Sequence, residues 1–316
     1  MDFSTSRNRA LQLAGFRCVF TLMLSGDESI RDGAAMREFL EKHKDWSWTT
    51  KSRQGKKKRP QHEAYNMRII FGSMVYDSTR IARTDAHWFY TGATHEYMTN
   101  SKRRVATIRV EGNDKTIPAV FHDLSNNEKD HKMKRWRLDL ELLQRDWKLH
   151  PNKTRTAFYT AQSYECLGEL ENAFKWYKIR HDLGGWKEEA YEALYRMGRV
   201  ALKLKRPWPE VQQLWLDAHA YLPKRIEPLY KIASYYYSHG RNYPLAYLFA
   251  SRAARIPYPS DLRLFITKKV YDYKIHDLVG IVAYYVGEYE DGKRSVLKAL
   301  ESKPNDKRLL RNLKYY

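Results

Sequence analysis

The sequence predicts an α/β N-terminal half followed by an all-α helical-repeat solenoid. Three observations carry this. The apolar run Phe20-Thr21-Leu22-Met23-Leu24 ends in Ser25-Gly26-Asp27-Glu28, and a continuous hydrophobic stretch reads as a buried parallel strand. Short strand-like runs and helical runs alternate over the first 150 residues. From Pro151 onward, small and aromatic residues recur on a helix–turn–helix plan.

The first helix is read over 7–13, with Ser4 or Thr5 as its N-cap. Residues 16–24 form the apolar strand. An amphipathic helix follows over 32–44, with Met36, Phe39 and Leu40 on its apolar face. Short strands are expected at 66–71, 80–82, 105–110 and 119–121. A charged helix over 128–149 carries Met133, Trp136, Leu138, Leu140, Leu143 and Trp147, and is expected to bridge the two halves. The domain reading is therefore 1–127, a bridging helix over 128–150, and a repeat domain over 151–316.

Four repeat units follow. Ala161, Tyr164, Leu167, Gly168, Ala173 and Tyr177 set out the first. Gly198, Leu204, Val211, Trp215, Ala218 and Pro223 set out the second. The third contains Ala233, Tyr236, Gly240, Ala246, Ala253 and Pro257, and the fourth contains Gly280, Gly287, Tyr289, Val296, Ala299 and Pro304. Small residues let paired helices approach, and aromatic rings fill the gaps between them. Ala218 to Ala253 is 35 residues, close to the roughly 34 of a tetratricopeptide unit. Ala253 to Ala299 is 46, so 258–275 must hold an insertion.

Composition narrows the class. Across 316 residues, 43% are apolar and 14% aromatic, enough for globular cores rather than a disordered chain. No run approaches the apolar length of a membrane span, and the N-terminus lacks the apolar core of a signal peptide. Cys18 and Cys166 read as buried thiols rather than a disulfide framework, which points to a reducing, cytoplasmic setting. The formal net charge of +20 favours polyanionic partners. Its densest cluster, residues 51–60, reads either as a solvated loop or as a patch for phosphate, nucleic acid or nuclear import.

Three segments could carry chemistry. Asp27 and Glu28 stand at the tip of an apolar strand, where a carboxylate can hold a cation against a phosphate, or simply sit in a solvated turn. The aromatic run from Trp88 leads through Gly92 to His95-Glu96. A carboxylate against an aromatic wall can serve as a base; the alternative is a rim residue beside core aromatics. His122-Asp123 follows Val120-Phe121, where an imidazole can bind metal or merely hydrogen-bond. Ser125, Lys129 and Lys132 could meet phosphate oxygens. There is no zinc spacing, no Walker loop, no G-x-S-x-G and no dinucleotide fingerprint.

Taken in order, several stretches resemble family-2 glycosyltransferases with a C-terminal helical-repeat region. They are Asp2-Phe3-Ser4-Thr5-Ser6-Arg7-Asn8-Arg9-Ala10-Leu11, Leu22 through Glu28, Trp88 through Glu96, Arg137 through Leu143, Tyr159 through Tyr164, and Gly184-Gly185-Trp186. The resemblance implies a GT-A fold, a nucleotide-sugar donor and a divalent cation, manganese or magnesium, on the diphosphate. It assigns Asp27 and His122 to the metal, Arg7, Asn8 and Asp27 to the donor, and Glu96 to the acceptor as base in an inverting displacement. The acceptor would be a glycan, a protein or a small molecule. Ser25 stands where the family carries its first acid, and the family's earlier strands have no counterpart before Met1. The resemblance thus implies a truncated, weakly active or inactive enzyme. The alternative of a different class is a non-catalytic scaffold whose repeats bind a peptide or protein. RNA binding ranks below both, since the tyrosines fall at packing positions and no RNA-binding motif is present.

Overall fold

A computed structural model describes residues 2–44, 62–71, 74–100, 106–109, 118–122 and 129–316. The basic run at 51–60, Asp123 and Ser125 lie outside the described residues, as do the side chains of His122 and Lys129. The chain divides into two compact units, Met1–Pro151 and Asn152–Tyr316.

The first unit opens with α1 (Phe3–Ala14), capped not by Ser4 or Thr5 but by Asp2, whose carboxylate accepts from the Thr5 amide at 2.7 Å. Strand β1 (Phe20–Leu22), β2 (Glu28–Arg31), α2 (Gly33–His43), β3 (His62–Phe71) and β4 (Met74–Arg83) follow. A single 3₁₀ turn at Thr84–Ala86 leads to β5 (Phe89–Thr91) and β6 (Tyr97–Thr99), then β7 (Ala106–Arg109), β8 (Ala119–His122) and α3 (Lys129–Leu149). The main sheet runs β1-β4-β3-β8-β2, with β7 also paired to β3. Only β3–β7 and β3–β8 are parallel; β1–β4, β3–β4 and β2–β8 are antiparallel.

This corrects the GT-A-like expectation for the first half. The apolar run was read as a parallel strand buried on both faces. Instead β1 is three residues long, half-buried, and pairs antiparallel with β4. The physical reason is its place in the sheet: β1 lies at the edge with β4 as its neighbour, so it lacks the flanking strands that enclose a central parallel strand.

Side chains alternate across the sheet as period-2 strands require. Tyr65, Met67, Ile69, Ile81 and Val120 pack with Phe39 of α2 on one face. Ala64 and Ala82 face the other way, toward Tyr90 and Met98 of the β5–β6 hairpin and Leu11 of α1.

The second unit is a stack of helix pairs: α4 (Thr154–Leu167) with α5 (Leu170–Asp182), α6 (Lys187–Lys203) with α7 (Trp208–Tyr221), α8 (Glu227–Ser238) with α9 (Tyr243–Ala254), and α10 (Ile275–Tyr285) with α11 (Tyr289–Ser302). Helix α12 (Lys307–Leu313) closes it. The tetratricopeptide-like reading holds in residue detail. Ala161, Ala173, Ala218, Ala233, Ala246, Ala253 and Ala299 are all fully buried. Gly198 lets α6 approach α7 so closely that an added Cβ would lie 2.4 Å from the Trp215 indole nitrogen. Gly280 gives Val296 the same access between α10 and α11. The expected insertion is residues 255–269, after which a π-helical turn at Val270–Lys274 leads into α10.

Cys18 and Cys166 are free and exposed rather than buried. Cys18 precedes β1, in a stretch held by its carbonyl accepting from the Thr84 hydroxyl at 2.6 Å, and Cys166 lies in the last turn of α4. Among the described residues no helix is long and apolar enough to cross a membrane.

Candidate functional site

Two constellations stand out, one in each unit. In the first, Arg7 on α1 is ion-paired with Glu96 in the β5–β6 turn and donates to the Ser25 hydroxyl at 2.9 Å. Glu28, at the start of β2, accepts from the Ser25 amide at 2.8 Å and from Arg80 at 2.6 Å. Asn8 exchanges two hydrogen bonds with the backbone of Tyr90, at 2.7 and 2.9 Å. These bonds pin α1 to the hairpin and set the Arg7 guanidinium over the Tyr90 ring. Two arginines thus meet two glutamates. Around them the Tyr90 hydroxyl, Thr94 Oγ1, Arg80 Nε and Asp139 Oδ1 are buried without hydrogen-bond partners. Burial first, and the Glu96 charge beside it, push the Asp139 carboxyl above its usual range, although Arg135 opposes them.

The structure therefore brings Arg7 and Glu96 into contact and sets Asn8 next to them. Asp27 sits apart, in the exposed turn before β2. His122 pairs by backbone with Glu28 across β2–β8, but its side chain is outside the described residues. Among the described residues no group of three or more His, Cys, Asp or Glu side chains is placed to hold a metal. Arg80 was missed by the sequence reading, and Tyr90 and Asp139, though inside stretches it singled out, were given no role in this site. No local signal marks them, because each reaches the cluster from a different element.

The second constellation lies on the first helices of the repeat units. Glu188 at the start of α6 accepts the backbone amides of Arg263 and Leu264, both at 2.7 Å. Glu227 at the start of α8 accepts the Thr267 amide at 3.1 Å and pairs doubly with Arg225, at 2.9 and 3.0 Å. Arg225 in turn donates to the carbonyls of Leu264 and Phe265, at 2.9 and 3.3 Å. The Phe265 ring stacks 6.1 Å from Phe158 of α4, with the Arg196 guanidinium 4.7 Å from its centre. Residues 263–267 are thus clamped mainly by their main chain.

The clamp rests on a buried ionic network. Arg225 is 0% exposed, and Glu192 and Glu227 are nearly so. Arg196 donates to Glu192 at 2.7 Å and to Gln162 at 2.9 Å. Burial opposes the charge of both guanidinium groups, but Glu192 beside Arg196, and Tyr191 with Glu227 beside Arg225, push them above their ordinary range. The Tyr191 hydroxyl and Glu192 Oε2 are buried on α6 without a hydrogen bond. Ion pairs of this kind contribute little net stability but are costly to break, so the network fixes geometry rather than adding strength.

No family model matches the chain, and no curated protein does. Solved structures similar to it include MamA, with 16% identity over 58% of this chain and 96% of that one, at a TM-score of 0.42. YrrB, described as a TPR protein with an unusual peptide-binding site, shows 13% identity over 58% of this chain and 86% of that one, at 0.39. The C-terminal part of a TPR repeat-containing protein from Cytophaga hutchinsonii shows 22% identity over 56% and 64%, at 0.41. Likenesses at these scores carry no function across.

The resemblance to family-2 glycosyltransferases is overturned. The sheet of the first unit pairs largely antiparallel, not as the parallel sheet that the resemblance implied. With it go the GT-A, manganese and nucleotide-sugar readings, and the reason for giving sugar-transfer roles to Arg7, Asn8, Asp27, Glu96 and His122.

Proposed function

We propose that the chain is a non-catalytic scaffold whose helical repeats hold a protein partner by an extended segment. One observation carries this reading: the first-helix face already grips a bent, non-helical stretch of chain at four residues, Arg263, Leu264, Phe265 and Thr267, through three main-chain amides and two carbonyls, from three fixed side chains. Stacked helix pairs offer a continuous surface suited to extended partners. The formal charge of +20 adds long-range attraction toward acidic proteins, which raises the association rate more than it strengthens the final contact.

The test is to screen the full chain against an array of extended peptides and to map each hit by hydrogen–deuterium exchange. The reading expects protection on α4, α6 and α8. A footprint confined to the first unit, or no retained peptide, would overturn it.

A further inference from the structure

The repeat face that would receive a partner is filled by the chain's own insertion. Residues 255–269 leave the stack after α9 and return across α4, α6 and α8 before the π-helical turn. Three features set this segment apart from an ordinary connecting loop.

First, it is held by groups that cannot be left bare. Glu188, Glu227 and Arg225 are 9%, 2% and 0% exposed, and each bonds to its main chain. Buried charges that lose their partners are costly, so uncovering this face without a replacement chain is disfavoured. Second, the recognition is generic. Carboxylates that accept N–H groups, and a guanidinium that donates to C=O groups, read any main chain that presents the same spacing. Third, the aromatic ring at its centre is only partly covered and its backbone is strained. Phe265 keeps 40% of its surface exposed. Its φ of +51° lies in the left-handed region, which a bulky residue adopts only when its surroundings impose it.

Resting on the scaffold reading, we infer that residues 258–269 are an internal occupant of the repeat groove, displaced in exchange by a partner. The partner is an extended protein segment that places an aromatic ring between Phe158 and Arg196 and presents free main-chain groups to Glu188, Arg225 and Glu227. Exchange of one main chain for another keeps the hydrogen bonds of Glu188, Arg225 and Glu227 satisfied. An incoming segment that delivers its aromatic ring from a residue with relaxed backbone gains over Phe265, whose own φ is +51°.

The probe is a fluorescent peptide of sequence Tyr-Pro-Ser-Asp-Leu-Arg-Leu-Phe-Ile-Thr-Lys-Lys, copied from residues 258–269. It is titrated against the full chain and against the full-chain variant L264P/F265A. The first change removes an amide that bonds to Glu188, and the second removes the ring. The variant is expected to bind the peptide at least about tenfold more tightly than the unaltered chain, the factor that corresponds to about 1.4 kcal/mol. Equal binding by the two chains would show that the segment does not gate the face, and would leave the scaffold reading standing. No binding of this peptide, with array peptides still footprinting on α4, α6 and α8, would overturn the self-occupancy alone. No binding of any peptide would overturn both. Should the variant fail to fold, the unaltered chain supplies the answer. When it is saturated with an array peptide, the amides of Arg263, Leu264 and Thr267 are expected to exchange faster. Unchanged protection there would overturn the inference.

Discussion

Single residues separate what is structural from what is available. Glu227, itself buried, bonds to Arg225 and to the Tyr271 hydroxyl in a buried setting and to the Thr267 amide in a partly buried one. Removing one partner of a buried pair typically costs about 3–5 kcal/mol, so Glu227→Ala should lower the urea midpoint sharply. The doubly bonded Arg308–Asp277 pair lies nearer the surface, and Arg308→Ala should cost no more than about 1 kcal/mol. The contrast between the two is the check. Asp139 makes a pH-dependent statement. Its carboxyl is raised in the folded chain by burial and by Glu96, so folding favours its protonated form. The stability it contributes is complete below its ordinary value of about 3.9 and is lost as pH rises through the raised one. Asp139→Asn should therefore stabilise the chain at about pH 7 and change little at about pH 3, read as urea midpoints at the two pH values.

At the scale of elements, close approach is the main cause of order in the repeats. An added Cβ at Gly198 would meet the Trp215 ring at 2.4 Å, and Trp215 is itself tethered through its indole N–H to the Tyr195 carbonyl at 3.2 Å. Alanine gains about 1 kcal/mol in helix propensity over glycine, while overpacking costs about 1–3 kcal/mol. Gly198→Ala should be net destabilising in a thermal melt, and a gain in Tm would refute the packing account. The repeats were legible because packing position dictates residue size: the small residues at helix contacts, Ala218, Ala253 and Ala299 among them, are the ones found fully buried. The first unit was legible only in part. Strands at 62–71 and 119–122 were anticipated within a few residues, but their directions were not, since side-chain alternation says nothing about which neighbour a strand meets. Strand β2, Glu-Ser-Ile-Arg, is short and polar at alternate positions; Glu28 was read with the tip of the apolar run and residues 29–31 were assigned to no element.

For the molecule as a whole, the ordered motifs pointed to sugar transfer, and topology removed that reading. What stands is a mixed-sheet unit and a helical-repeat unit with a built groove. That groove was invisible in the sequence. Glu188 and Leu264 are 76 residues apart, and a charged residue at a helix start reads as a solvated terminus until the insertion is seen folded over it. Nor does any spacing reveal that Arg225 and Glu227 form a pair aimed at another stretch of backbone. In the first unit, Arg7, Asn8 and Glu96 were singled out for sugar-transfer roles that no longer stand, and they come together only in the fold, beside Arg80 and Asp139 from separate elements.

The central claim is that the first-helix face is a main-chain clamp for a protein partner. The most direct measurement is the affinity of an array-selected peptide for the full chain carrying L264P/F265A, in which the segment that occupies Glu188 is weakened, and for that chain with Glu188→Ala added, compared under identical salt. Loss of two charge-assisted hydrogen bonds, at about 1.5–3 kcal/mol for a bond to a charged group, predicts at least about a tenfold loss of affinity in a variant that still melts cooperatively. Equal affinity in the two chains would contradict the account.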